Sequence, residues 1–173
     1  MFDPTAFENL KVVAEGAVYD LDLDGEVTIT NRKDIMDLAS LSRSYEISFS
    51  LSEESPVQAS FLLRVDAKNL SGEILDVPHF VPGCEMKLLF SFPMKDPEKD
   101  CQHIEGLLQS IWGITRMITQ KISYEYNKGA LSYHNKVSIS FQKAITEDHV
   151  DDLLTVISHM IETMRSLQHF LQK

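Results

Sequence analysis

The stretch TEDHVDDLLTVISHMIETMRSLQHFLQK, residues 146–173, decides how this chain is read. Val150, Ile157, Met164 and Leu171 recur every seven residues, and Leu153, Met160 and Leu167 fill the positions between them. That spacing draws one apolar stripe along a helix. Thr146 suits the N-cap, Glu147 and Asp148 suit the positive end of the helix dipole, and His169 and Lys173 suit the negative end. Fully helical, the stretch would be roughly 40 Å long, so its far end is expected to overhang the body that carries it. Self-association through the stripe is the expectation. The domain's own core and a helix of a partner protein are the alternatives. Met160 and Met164 soften the seam, because methionine adapts to many shapes.

Composition sets the outer limits. With 173 residues, 43% hydrophobic and 24% charged, the chain fits one domain with an appendage. The expected division is an N-terminal hairpin and short helix over 1–41, a body over 42–145 and the amphipathic helix over 146–173. A net charge of −10 repels polyanions, so no nucleic acid polymer is expected as a partner. No run of ~18 apolar residues exists to span a bilayer. Cys84 and Cys101 are too few for a disulfide framework or a zinc site, and the opening MFDPTAFENL has neither a charged nor an apolar leader region. The expectation is a cytoplasmic protein with two reduced, structural thiols and no cofactor.

Working back from the terminal helix, Ile122, Tyr124 and Tyr126 lead through Asn127-Lys128-Gly129 to Val137, Ile139 and Phe141, a hairpin. The segment 103–122 is ambiguous. Ile104, Leu107, Leu108, Ile111, Thr115, Ile118 and Ile122 fit a helical face, whereas Ile104, Leu108, Trp112, Ile114 and Ile118 fit a long strand, and Gly106 and Gly113 each weaken a helix. Met86, Leu88, Phe90 and Phe92 alternate as a strand after Pro82-Gly83. Earlier come a short strand over 73–77, a turn at Asn69-Leu70-Ser71-Gly72, and strands over 57–65 and 45–51 parted by the turn at 52–56. Asn31 is placed to cap a short helix through Leu38. Tyr19, Leu21, Val27 and Ile29 alternate with polar residues around Leu23-Asp24-Gly25, which predicts a hairpin over 10–30 with Gly25 left-handed. Asp20, Asp22, Asp24 and Gly25 also match half of a calcium loop, but Asn31 stands where the bidentate carboxylate is needed. The predicted fold class is α+β: a small antiparallel β-barrel or curved sheet, an N-terminal β-hairpin beside it, and a long C-terminal helix.

The order of strands and turns around Asn69-Leu70-Ser71-Gly72 and Val81-Pro82-Gly83, followed by Val137-Ser138-Ile139-Ser140-Phe141, Ile145-Thr146-Glu147-Asp148 and a helix, resembles the PilZ domain over about residues 42–161. The resemblance implies a six-stranded barrel of bacterial signalling proteins that binds cyclic di-GMP. Arg43, Asn69 and Ser71 are the residues that match the family's ligand-gripping positions. Ile47 and Ile74 occupy places where the family has an arginine and a glycine.

The six histidines show no H-E-x-x-H spacing, and no nucleophile elbow or phosphate-cradling glycine loop occurs. His149, His159 and His169 are ten apart, which rotates successive ones by about 80° around a helix, and they read as solvated. Carboxylate pairs such as Asp151-Asp152 read as wet surface. An enzyme would need a site assembled from distant residues. The expected function is therefore a non-enzymatic bacterial binding or regulatory module acting through protein–protein contacts, with a cyclic di-GMP effector as the alternative. Besides the helix, the loop from Tyr126 to Tyr133, with Lys128 and His134, is the expected partner contact.

Overall fold

The computed structural model describes residues 6–126 and 129–173. The chain is α+β. Helix α1 (Ala6–Leu23) is followed by strands β1 (Thr28–Asp37), β2 (Ser42–Ser50) and β3 (Gln58–Val65), helix α2 (Ala67–Ile74), strand β4 (Glu85–Met94), helix α3 (Pro97–Trp112), strands β5 (Met117–Tyr124) and β6 (Tyr133–Ser140), a 3₁₀ turn (Glu147–His149) and helix α4 (Asp152–Leu171). The six strands form one antiparallel sheet in the order β1-β2-β3-β4-β6-β5. It stays open, with β1 and β5 as edges, so of the two expected forms the barrel is corrected to an antiparallel sheet.

Alternation sorts the sheet into two faces. Tyr45, Ile47 and Phe49 of β2, Phe61 and Leu63 of β3, Leu88, Phe90 and Phe92 of β4, and Val137 and Ile139 of β6 are all buried. They form one core with α1, α3 and α4, which lie on that side. The opposite face is rich in serine, with Ser48 paired to Ser60 across β2 and β3.

Residues 10–30 are not a hairpin. Phe7, Leu10, Ala14 and Val18 are buried at spacings of three and four, so a helical face wins over the short alternation at 19–22. Gly25 is left-handed as expected, at φ +75°, but it ends a helix. Glu26 donates its N–H to the Leu21 carbonyl at 2.9 Å and Gly25 to that of Asp22 at 3.1 Å, a Schellman cap. The helix expected after Asn31 is strand instead, paired along its length with β2.

The same error recurs at 69–77. Asp66 caps Asn69 N–H at 2.8 Å and starts α2, so the expected turn lies inside a helix and the strand over 73–77 is its end. Over 103–122 both readings are half right. Asp96 and Pro97 open α3, Gly113 at φ +81° closes it, and β5 follows. Strands form at 45–51, 57–65 and 86–92 as expected. β5 and β6 pair as the second hairpin, whose expected turn at Asn127-Lys128-Gly129 lies partly outside the described residues. The terminal helix forms but starts at Asp152, Thr146 instead preceding the separate 3₁₀ turn.

One irregularity shapes the site. Lys87 pairs with Ser140, and Cys84 pairs with Ile145 through two backbone hydrogen bonds of 2.8 and 2.9 Å. Between these pairs β4 passes two residues, 85 and 86, whereas the other side passes four, 141–144. The extra length bulges outward. A Cβ at Gly83 would stand 2.8 Å from that of Ala144, so glycine permits the close pairing that holds the bulge.

Candidate functional site

The stripe on α4 does not overhang. Leu153, Ile157, Met160, Met164 and Leu167 are at most 2% exposed, and Val150 and Leu171 are half-buried against the same core. α4 packs against α1, α3 and β3. The expected self-association seam is thus the chain's own core, because α1 and α3, read as hairpin and as ambiguous, supply the cover. Buried residues from α1, the sheet, α3 and α4 form one cluster.

Arg43 is held from several sides. Its guanidinium donates to both carboxylate oxygens of Asp34 at 3.0 and 2.8 Å and to Glu8, and it lies 4.9 Å over the Phe7 ring. Lys11 reaches Asp34 at 2.8 Å. The Arg43 hydrogen bonds hold the Asp34 carboxyl down at about 2. Asn69 accepts the Gly83 N–H at 3.1 Å and lines a cleft of about 340 Å³ with Arg64, Asp66 and Lys143, while Ser71 donates to the Ala67 carbonyl inside α2. Neither Arg43 nor Ser71 lines that cleft, so the three residues matched to the dinucleotide are not brought together.

In the expected partner loop, Lys128 lies outside the described residues. Tyr126 is 94% exposed, Tyr133 meets Tyr124 edge-on at 6.1 Å, and His134 contacts Ser91 Oγ at 2.6 Å on the open sheet face. The loop joins a free edge. β5 carries one charge, Lys121, and its neighbourhood exposes Ile114, Met117, Tyr124 and Leu131. The other edge, β1, carries Arg32, Lys33, Asp34 and Asp37, and Arg32–Glu15 and Lys11–Asp34 ion pairs tie it to α1.

A second concavity lies where α3 ends, bounded by the 141–144 bulge and the first turns of α4. It holds about 560 Å³. Trp112 forms its wall, fixed by donation from Nε1 to Thr163 Oγ1 at 2.9 Å, and Thr163 donates on to the His159 carbonyl at 2.7 Å. Phe141 and His159 stand edge-on to the indole at 6.4 and 5.5 Å. The Arg116 guanidinium lies 4.6 Å over Phe141, and Lys143 and Asp152 complete the rim. His159, read as solvated, therefore packs on an aromatic. His149 accepts the Thr146 N–H at Nδ1 (3.1 Å), so its Nε2 carries the proton in the neutral ring.

Burial pushes the Cys84 thiol up to about 12, and Cys101 is also raised by burial. Neither is an activated thiolate. Among the described residues no group of three or more His, Cys, Asp and Glu side chains could hold a metal ion, and no helix is long and apolar enough to cross a membrane. Sequence reasoning met Trp112 only in the strand reading of 103–122 and gave Arg116 no role. Their meeting depends on the bulge at 141–144, which has no local signature. No family model, curated protein or solved structure matches this chain.

Proposed function

We propose that the chain is a non-enzymatic binding module acting through protein–protein contact, and that the contact runs along the free edge of β5. The observation that carries this is the contrast between the edges. β1 carries four charges and is laced to α1 by ion pairs, as protected edges are, and the apolar side chains it exposes are Ile35 and Met36. β5 instead offers unpaired backbone with one lysine between Arg116 and Glu125, beside exposed Met117, Tyr124, Ile114 and Leu131. The first partner is a second copy. Antiparallel pairing places residues of the same face opposite one another. With Gln120 on the two-fold axis, Ile118 of one copy faces Ile122 of the other, Met117 faces Ser123, and Thr119 faces Lys121. No like charges meet. This reading does not call on cyclic di-GMP, since Arg43 is engaged by Asp34 and Glu8 and does not line the cleft that holds Asn69.

Sedimentation velocity on the full chain tests it. The chain is expected to sediment at twice its own mass at about 100 µM. Thr119 is exposed, so charging it leaves the core alone. Thr119→Lys sets two lysine pairs against each other and is expected to weaken the dimer about tenfold, whereas Thr119→Glu strengthens it. Single copies at that concentration, or equal behaviour of the two variants, overturn the proposal.

A further inference from the structure

We propose that the cleft between the end of α3, the 141–144 bulge and the start of α4 is a binding site for a small aryl carboxylate: one flat apolar ring system bearing a single negative charge. This lies apart from the β5 contact and does not rest on it.

The ring follows from the walls. At about 560 Å³ the cleft has the size of a small-molecule pocket. Its aromatic side chains are fixed before anything enters. Trp112 is 8% exposed and held by Thr163, and Phe141 and His159 both stand nearly perpendicular to it, at 86° and 82°. Edge-on neighbours of this kind offer a slot in which a further ring finds faces and edges of opposite polarity.

The charge follows from the rim. In a chain of net charge −10, acidic partners are plentiful, and Arg32, Arg43 and Arg165 each have one. Among the described ion pairs neither Arg116 nor Lys143 takes part. The Arg116 guanidinium lies 4.6 Å over the Phe141 ring, at the rim of the cleft, and a guanidinium carries the N–H fork that fits a carboxylate. Asp152 on the same rim sets the limit. Two cations against one carboxylate favour one negative charge and disfavour polyphosphates.

Trp112 is the chain's single tryptophan, so its emission reports on this cleft alone. Titration of the full chain with 4-phenylbutyrate is expected to give a saturable change with a Kd of about 0.1–1 mM. The uncharged 4-phenylbutan-1-ol is expected to bind about fivefold more weakly, and inorganic phosphate to give no change. Arg116→Gln, at an exposed position, is expected to erase the preference for the acid while leaving the alcohol's affinity in place. No saturable change with the acid, equal affinity for acid and alcohol, or an unchanged preference in Arg116→Gln overturns the proposal.

Discussion

Asp34 sits between the Arg43 guanidinium and the Lys11 ammonium, and hydrogen bonds from Arg43 lead the effects that lower its carboxyl from 3.8 to about 2. A depressed carboxylate stabilises the fold above its unfolded value and loses that contribution as pH falls through the folded value. With the side chain 34% exposed, solvent screening trims the contribution to about 1 kcal/mol. Asp34→Asn is therefore expected to lower stability by about 1 kcal/mol at neutral pH, and the difference from the parent is expected to shrink between about pH 4 and pH 2. Urea unfolding of both proteins across that range measures it, and a constant difference contradicts the ion-pair account. Arg43 was legible as a residue of consequence but not by its partner. Its carboxylates come from Glu8 on α1 and Asp34 on β1, and α1 itself was misread, so a ligand was the nearest anion that the sequence offered.

At the scale of elements, strands with long alternation and helices with long periodicity were legible, and short windows were not. Residues 19–22 alternate because Tyr19 and Leu21 flank the buried face of α1 on its two sides, both partly buried. Length resolves this, because the buried set from Phe7 to Val18 spans several turns, but only if the window is opened toward the N-terminus. Gly25 was assigned the correct backbone region and the wrong motif, since a hairpin loop and a Schellman cap both need a left-handed residue. A Cβ at Gly25 meets nothing within 4 Å, so its replacement costs conformation alone. Gly25→Ala is expected to destabilise the chain by about 1 kcal/mol, read as a lower urea midpoint with an unchanged slope. An unchanged midpoint means that α1 does not end in this cap.

For the whole molecule, a heptad of apolar residues states that a stripe will be covered and leaves open what covers it. The structure supplies α1, α3 and β3, so α4 closes the core that the sheet opens on one face. The consequence is a sharp test of which cover is correct. Stopping the chain after Ile157 removes Met160, Ile161, Met164 and Leu167, all at most 5% exposed. Each buried side chain contributes about 1.5–3 kcal/mol, so the four together reach roughly 6–12 kcal/mol, comparable with the 5–15 kcal/mol of a whole domain. If α4 were an assembly seam, the shortened chain would remain folded as single copies. Because α4 is core, the shortened chain is expected to lose its cooperative thermal transition and its near-ultraviolet circular dichroism. A folded shortened chain with a sharp transition would return α4 to the surface and undo the one-sided architecture on which both binding proposals stand.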